Sequence, residues 1–465
     1  MKAKGFVIQV LSPIIFLLFI SYAHAEQPLS LIDAIDIALK NSPEYIMAQH
    51  RLQQADEKIA QAWGMLYPAL ESEASAMRQY AENGFMSLSD GQYDLKFVQV
   101  RFGINPATFY NSLSQSYNNY KLAKEEVKKV KSSIEYNVIK SYFDVITANE
   151  IIRLRENSIA VLQANVADVN QMFNTGTIPK FELLQAQVQL QSQEPLLIEA
   201  RNNFSTALDL FNYYLGAKNG TYTVIFEGFD SSIKEPHGYD IVDTLVEKAL
   251  MHRPEVIQLT LTRDIVGDSI DAAQSVYLWP TFSVAGYYGK SYLMPDAPQI
   301  QLPFPGQSID LSAITGTRQW QTTWQVRVAA TYRWGALAPV DTVQGVEREQ
   351  KEKLKEINQQ ILQLKQAIAI AVRADYGRLM TAYQSMVSQR KNIETATEGL
   401  RVAKESYKAG VIKNADLLNA ELQLTSARMG YIKAINDFWY AVAQLKKDTG
   451  FDCTDLIFAE VHNEK

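Results

Sequence analysis

The feature that most constrains this chain is an internal repeat that pairs its first half with its second half. The segment FNTGTIPKFELLQAQVQL, which begins at Phe173, reappears as YKAGVIKNADLLNAELQL from Tyr407. Gly176 therefore matches Gly410, which lies 234 positions later (410−176). Because self-similarity over such a distance marks one structural module used twice, any fold for this chain must accommodate two copies of the same unit.

A second set of matching motifs lies near the start of each copy. Residues 38–44 read ALKNSPE, and residues 249–255 read ALMHRPE. The dipeptide Tyr67-Pro68 is matched 212 positions later (280−68) by Trp279-Pro280. Since the offset grows from 212 to 234, the second copy contains 22 additional residues (234−212), which we place in the loop 291–318.

The repeat divides the chain into two equivalent parts with short flanking segments. We expect, in order, a signal peptide at 1–25, a first structural repeat at 26–216, a linker or equatorial segment at 217–238, a second structural repeat at 239–450 and a C-terminal tail at 451–465. Within the repeats we predict β-hairpins at about 69–103 and 280–335, and long helical hairpins at about 106–216 and 339–450.

The N-terminal segment reads as a secretory signal. Lys2 and Lys4 precede an apolar stretch at 5–20, and residues 23–25 form an A-x-A cleavage site. An anchoring helix is the alternative, but the apolar stretch is short for a bilayer span. The only cysteine is Cys453, so an exported chain of this sequence has no intrachain disulfide, and no role is assigned to this thiol.

The composition gives no support for an enzyme, a cofactor or a nucleic-acid ligand. The formal net charge is −6, which does not suit a polyanionic partner. The five histidines form no HExxH motif and no cluster with metal-ligand spacing: His24, His50, His237, His252 and His462. We therefore expect no catalytic residue, no metal and no cofactor.

The clearest strand of the sequence is the segment 320–334, in which apolar and polar residues alternate. Its apolar positions include Trp320, Trp324, Val326, Val328, Tyr332 and Trp334. An apolar face with aromatic residues at both ends is typical of a transmembrane β-barrel strand, and we predict that this face contacts lipid. The alternative is a strand of a soluble sandwich, in which tryptophan at both ends of the apolar face is rare.

Long helices make up most of each predicted repeat. No proline or glycine occurs between Pro106 and Asn174, and a helix of that length would extend over about 100 Å at 1.5 Å per residue. A second long helix is predicted from Pro339 to about Lys408, with apolar residues at heptad spacing from Leu354. Helices of this length have no globular core of their own and must pack side by side.

The predicted strands and helices together imply an assembly of several chains. Each repeat supplies two strands, and the resulting four are too few, because about eight are needed to close a barrel. An open sheet edge is not tolerated in lipid, so several chains would have to share one barrel. The predicted fold class is mainly α with transmembrane β: a long antiparallel α-helical barrel plus a shared β-barrel with four strands per protomer, internally duplicated.

In these motifs the chain resembles the TolC family of outer-membrane efflux and secretion channels. The resemblance rests on the two AL-x3-PE openings, the Tyr67-Pro68 and Trp279-Pro280 strand entries, and the F/Y-x2-G turns that end at Gly176 and Gly410. It covers essentially the whole chain after residue 25. It implies a homotrimer in the outer membrane that extends into the periplasm, with a periplasmic adaptor and an inner-membrane pump of the RND, ABC or MFS type as partners.

The resemblance also implies a function and leaves alternatives open. The leading interpretation is a passive exit duct of a tripartite efflux pump or of a type I secretion system, which opens when the adaptor and pump engage. The rival is a non-conducting structural protein, such as a periplasm-spanning coiled-coil tether or an adhesin. The motifs do not distinguish between drug and protein cargo.

Similarity to the family assigns roles to residues of the two glycine-centred turns and of the helix that follows the second one. The implied adaptor-docking residues are Thr175, Gly176, Thr177, Ala409, Gly410 and Val411. The alternative is that the two glycines only permit a positive φ between helices. Asp416 matches an aspartate that forms an acidic ring at the periplasmic aperture, or else it is an ordinary first-turn acid. A second family aspartate is replaced by Asn419.

The family lock that keeps the aperture closed is incomplete in this chain. By similarity, its acidic partner is Glu182 and its tyrosine is Tyr407. The position of its arginine is occupied by Ile412, which cannot form an ion pair, although Lys413 is adjacent. We therefore expect a different closing network at this aperture.

Overall fold

The computed structural model describes residues 27–83, 86–217, 222–225, 233–295, 299–301, 308–310, 320–334 and 342–458. The predicted signal peptide at 1–25 lies outside the described residues, as does most of the loop 291–318. No helix among the described residues is both long enough and apolar enough to cross a membrane.

The first copy begins with two helices, forms a hairpin of two strands and continues into the predicted long helical hairpin. Its elements are β1 (Gln27–Leu29), α1 (Leu31–Asn41), α2 (Pro43–Gly64), β2 (Ala69–Asn83), β3 (Met86–Ile104), α3 (Pro106–Asn174), α4 (Lys180–Gln191), α5 (Gln193–Tyr214) and β4 (Tyr222–Val224).

The second copy contains its main helices and strands in the same order. A single 3-10 turn (Tyr239–Ile241) precedes α6 (Val242–His252), α7 (Pro254–Leu278), β5 (Thr281–Pro295), β6 (Gln299–Gln301), β7 (Ser308–Asp310), β8 (Trp320–Thr331), α8 (Thr342–Lys408), α9 (Asn414–Thr449) and α10 (Thr454–Ile457). The short β6 and β7 pair with each other and lie within the additional residues of this copy.

The return arm of the first predicted helical hairpin, at about 106–216, is not one continuous helix. Helix α4 ends at Gln191 and α5 begins at Gln193. Pro195 explains the break, because its ring nitrogen has no hydrogen to donate to the carbonyl of Gln191, four residues earlier. The hydroxyl of Ser192 instead donates to the carbonyl of Gln189 at 2.7 Å.

The four long strands form one antiparallel sheet in the order β2-β3-β5-β8. Strands β2 and β8 are therefore its edges. A β-bulge at Phe97 shifts the register of β3 against both neighbours, and the apolar positions of this strand accordingly change from Tyr93 and Leu95 to Val98, Val100 and Phe102. Residues 82–91 are rich in asparagine, glycine, serine and aspartate, which is typical of a turn, but β2 continues to Asn83 and β3 begins at Met86.

The chain divides into two compact units, each assembled from three segments. One unit comprises the described residues of Met1–Ser42, Asn137–Ser232 and Gln389–Asn436. It contains the helix turns at Gly176 and Gly410 and a parallel pairing of β1 with β4. In its interior the phenol of Tyr142 packs on Phe211, with ring centroids 6.0 Å apart.

The other unit comprises the described residues of Pro43–Tyr136, Ile233–Ser388 and Asp437–Lys465. It contains the four-stranded sheet and a core in which α6 packs on parts of α8 and α9 and on the C-terminal α10. The fully buried residues of this core include Leu245, Val372, Tyr376, Leu379, Phe438, Leu445 and Ile457. Cys453, the free cysteine, is buried in the same core, where burial raises the pKa of its thiol.

Candidate functional site

The two turns implied in adaptor docking have the same backbone geometry. Gly176 has φ of 75°, and the N–H groups of Gly176 and Thr177 donate to the carbonyls of Phe173 and Met172, both at 2.9 Å. At the second turn, Gly410 has φ of 69° and the equivalent two bonds are also 2.9 Å long. Both turns are therefore Schellman motifs, in which glycine adopts a left-handed conformation that L residues rarely adopt.

Directly above each turn the two helices pack through equivalent residues. In the first copy, Val166, Val169, Phe173, Leu183 and Ala186 form one apolar cluster. The residues 234 positions later form the corresponding cluster of the second copy: Leu400, Ala403, Tyr407, Leu417 and Ala420. The sequence repeat is thus reproduced position by position in the packing of the two hairpin ends.

The equivalence of the two hairpins explains why an isoleucine occupies position 412. Its counterpart in the first copy is Ile178 (412−234), which packs against the apolar cluster above the Gly176 turn. Ile412 is likewise half-buried beside its own turn. Ile412 therefore corresponds to a residue that packs on the apolar cluster of the other hairpin, and its side chain carries no charge.

The carboxylate of Asp416 interacts with the start of its own helix. Helix α9 begins at Asn414, and the backbone N–H of Lys413 donates to Oδ2 of Asp416 at 3.2 Å. This is the acidic half of a capping box, and it places negative charge at the positive end of the helix dipole. Asp416 is nevertheless exposed, as is Asn419 one helical turn later, so both remain accessible on the surface of α9.

Glu182 occupies the equivalent third position of helix α4 but lacks this bond. The capping residue of α4 is Pro179, which has no N–H to donate, and no side chain caps the helix. No hydrogen bond or ion pair of the Glu182 carboxylate occurs within the described residues. The charge of Glu182 acts on Tyr407 instead. Burial, followed by the charges of Glu182 and Asp168, raises the pKa of the Tyr407 phenol.

The phenol of Tyr407 connects the two hairpins. Its hydroxyl donates to the sulfur of Met172 at 3.6 Å, and both residues line a groove of about 690 Å³ between the end of α3, the end of α8 and the start of α9. The structure therefore brings Glu182 and Tyr407 into one neighbourhood, as the resemblance implies. Lys413 is exposed and forms no ion pair in the described part of the chain.

A pair of asparagines that the sequence analysis did not single out joins α3 to the start of α9. The amide of Asn165 donates to Oδ1 of Asn414 at 2.8 Å, and the amide of Asn414 donates back to Oδ1 of Asn165 at 3.2 Å. Asn414 is only 1% exposed. Nearby, Lys404 and Glu421 form an ion pair of 3.0 Å between α8 and α9.

In the other unit, the strand register extends the alternation of β8 across the sheet. Val328, for example, is aligned with Val284 and Phe102. The residues on this side form what we call the apolar face: Val98, Val100, Phe102, Val284, Tyr288, Trp324, Val326 and Val328. The opposite side, which we call the polar face, carries Glu71, Glu73, Lys96, Gln99, Arg101, Gln325 and Arg327.

Aromatic side chains occur towards both ends of the apolar face. At one end Tyr93, Tyr292 and Trp320 form a continuous row, with ring centroids 6.4 Å and 5.3 Å apart. Past the other end of β8, the rings of Tyr332 and Trp334 are 5.2 Å apart. Twelve residues of strand, tilted by about 45°, rise about 28 Å, which is close to the height of the apolar band of an outer-membrane barrel.

Known proteins resemble this chain along most of its length. The profile of the outer membrane efflux protein family matches residues 34–216 and 245–450. The outer membrane efflux protein BepC of Brucella suis biovar 1 (strain 1330) is 20% identical over 444 residues, which cover 94% of this chain and 88% of BepC.

Solved structures with a similar fold include those of CusC and CmeC. CusC superposes with a TM-score of 0.73 at 17% identity, over 90% of this chain and 92% of CusC. The outer membrane channel CmeC of Campylobacter jejuni superposes with a TM-score of 0.70 at 16% identity, over 91% of this chain and 86% of CmeC.

The fold therefore defines a class, that of TolC-like outer-membrane channels, which combine a helical barrel with a β-barrel. Within this class, the chain belongs to the outer membrane efflux protein family. It is an outer-membrane protein and not an enzyme. Among the described residues, no group of histidine, cysteine, aspartate or glutamate is arranged to hold a metal ion.

Proposed function

We propose that three copies of this chain form a passive duct through the outer membrane, which serves as the exit of a tripartite efflux pump or a type I secretion system. The observation that carries the proposal is a four-stranded sheet with one apolar face, one polar face and two edges that pair with nothing in the described chain. Three such sheets supply twelve strands, enough for a closed barrel with the apolar face outward and the polar face towards a lumen.

An exposed apolar stripe on α4 supports self-association. Phe181, Leu184 and Val188 lie on one side of this helix and are 72%, 48% and 65% exposed. The equivalent positions of the second copy are Ala415, Leu418 and Leu422, which are buried or half-buried. Apolar side chains that are packed in one copy of a repeat and exposed in the other favour a surface that a neighbouring subunit covers.

In this proposal the periplasmic aperture lies at the two Schellman turns. The far ends of α3 and α8 connect to the strands, so the turns are distant from the membrane along the chain. We assign docking of a periplasmic adaptor to Thr175, Gly176, Thr177, Ala409, Gly410 and Val411, and the aperture to Glu182, Tyr407, Ile412, Lys413, Asp416 and Asn419. An inner-membrane pump would supply the energy, since a passive duct has none.

A conductance measurement tests the duct and its acidic aperture together. We expect purified wild-type protein in a planar bilayer to show small, cation-selective openings, because three Asp416 carboxylates around a three-fold axis attract cations. The variant Asp416→Ala is expected to lose much of this selectivity. Asp33→Ala is a matched control, since Asp33 is the first-turn acid of α1 and bonds to the capping residue Ser30.

The outcomes separate the competing interpretations. Conductance that is unchanged in Asp416→Ala would retain the duct and remove Asp416 from the aperture. A trimeric sample that never conducts, even when the hairpin ends are loosened by mutation, would favour a non-conducting structural protein.

A further inference from the structure

The polar face of the sheet carries its charges in rows that run across the four strands. Counted from the helix end of the sheet, the first row on this face that spans all four strands contains Ala69, Arg101, Ala285 and Arg327. The next row on this face contains Glu71, Gln99, Tyr287 and Gln325, and the third contains Glu73, Lys96, Gly289 and Thr323. Two guanidinium groups of each chain therefore occupy one level, at the end of the sheet where every strand meets a helix.

Arg101 belongs to a charge network within the first hairpin. Its guanidinium lies 3.6 Å from the carboxylate of Glu71 and 4.0 Å from that of Glu73, and Glu73 also pairs with Lys96 at 3.0 Å. When the side-chain amide of Gln99 is oriented so that its nitrogen faces Glu73, its oxygen accepts a hydrogen bond from the guanidinium of Arg101. Two acids and two bases are thus matched within this hairpin.

Arg327 has no such partner in the second hairpin. Its guanidinium forms no hydrogen bond or ion pair with any residue that the structure describes. The residues around it on the polar face are neutral: Ser283, Ala285, Tyr287, Gln325 and Ala329. Because the first hairpin balances its own charge, Arg327 leaves these three rows with one excess positive charge per chain.

This excess is independent of how copies pair at the sheet edges. If a neighbouring copy lends Glu71 or Glu73 to Arg327, then Arg101 or Lys96 loses a partner instead. The next acid on this face is Asp94, six residues along the strands from the Arg327 row as counted on β8. Six residues extend about 20 Å, which exceeds the screening length of about 8 Å at physiological ionic strength.

We propose that the row of Arg101 and Arg327 is an anion-binding ring inside the channel, which favours cargo molecules that carry carboxylate, phosphate or sulfate groups. This inference rests on the proposed function, since a trimer would place six guanidinium groups at one level of the lumen. Arginine suits this role because its planar fork donates two parallel hydrogen bonds to such an oxyanion and stays charged at every physiological pH. Rings of arginine select for anions in pores.

The test is a planar-bilayer measurement with Arg327→Gln in the full chain. We expect its reversal potential in a KCl gradient to move towards cation selectivity relative to wild type. Inorganic triphosphate, used as an anionic probe, is expected to block wild-type channels and to block the variant roughly tenfold more weakly, the scale expected for loss of a charge-assisted hydrogen bond. Arg327→Lys, which retains the charge, should restore the wild-type reversal potential.

Lys290 provides the matched control, because it lies on the opposite side of the same sheet, aligned with Leu95 and Thr322. Lys290→Gln should leave both the reversal potential and the block unchanged. Conducting channels in which Arg327→Gln equals wild type, or in which Lys290→Gln has the same effect, would overturn the anion ring while retaining the duct. Absence of conductance in the wild type itself would instead overturn the proposed function on which the ring depends.

Discussion

At the scale of single residues, the most unusual group is a buried pair of carboxyl groups. Asp375 on α8 is 3% exposed and lies beside Asp448 on α9. Arg253 donates to Asp448 at 2.9 Å, and Arg378 pairs with Asp375 at 3.1 Å. Oδ2 of Asp375 accepts no hydrogen bond from any donor in the described part of the chain, so a proton shared with the carboxyl group of Asp448 accounts for the arrangement.

This pair predicts that the substitution Asp375→Asn stabilises the protein relative to the wild type, and that the gain is larger at higher pH. Burial, followed by the hydrogen bond to Asp448 and its charge, raises the pKa of Asp375 to about 7 from a usual value of 3.8. The folded state therefore binds more protons than the unfolded state between these values, so the stability of the wild type falls as the pH rises from about 4 to about 7. The neutral amide avoids this loss.

We expect the gain in apparent melting temperature of Asp375→Asn to grow between pH 5 and pH 8, because the wild type loses stability over this range. Circular dichroism during thermal unfolding measures it. Asp243→Asn is the control, because Asp243 is an exposed carboxylate that pairs with Arg373 in the same unit. A pH-independent difference for Asp375→Asn would show that the two carboxyl groups do not share a proton.

At the scale of helices and strands, local sequence signals predict the ends of these elements better than they predict breaks within them. The predicted helical hairpins start and end where Pro106 and Gly450 indicate, since α3 begins at Pro106 and α9 ends at Thr449. Helix α3 has no proline or glycine after Pro106, and α9 continues through Gly430. The break at Ser192 was not predicted, although Pro195 signals it. Strands β2 and β3 extend into residues 82–91, which look like a turn, because the two strands pair across the hairpin.

At the candidate aperture, too, the sequence predicts some structural features and misses others. The repeat correctly predicts the two glycine turns, since their conformation is local. It does not reveal the pairing of Asn165 with Asn414, because these residues are 249 positions apart and do not occupy equivalent positions of the two copies. Contacts between non-equivalent positions of the two copies cannot be predicted from the sequence repeat.

We predict that this amide pair, and not an ion pair, holds α9 against α3. In Asn414→Ala the half-buried amide of Asn165 loses both of its bonds to Asn414, which costs about 1–3 kcal/mol. If the contact keeps the aperture closed, openings in a planar bilayer should become larger or longer. The increase should be the same at low and high salt, because the pair is neutral.

Gln423→Ala is the control for this prediction, since Gln423 carries an exposed amide on the same helix and is not among the residues assigned to the aperture. Openings that match the wild type in Asn414→Ala would exclude the amide pair as a closing contact. A change that appears only at low salt would point instead to the ion pair between Lys404 and Glu421.

At the scale of the whole molecule, the two edges of the four-stranded sheet are the strongest indication that several copies of this chain assemble. Neither edge pairs with another strand of the described chain. In a single chain, β2 and β8 are three strand spacings apart, which is about 14 Å, so cysteines on these strands cannot form an intrachain disulfide. In a barrel shared by three copies, β8 of one copy lies beside β2 of the next. Cross-linking therefore distinguishes a shared barrel from an open sheet.

We predict that Thr322→Cys on β8, combined in turn with Leu70→Cys, Ala74→Cys or Ala76→Cys on β2, yields covalent dimers and trimers on oxidation for at least one combination. Gel electrophoresis without reductant measures the products, and Cys453 does not interfere because it is buried. Leu95→Cys on the central strand β3 is the control, because β3 is paired on both sides within its own chain and should give monomers. Monomers in every combination would contradict a barrel built from several copies.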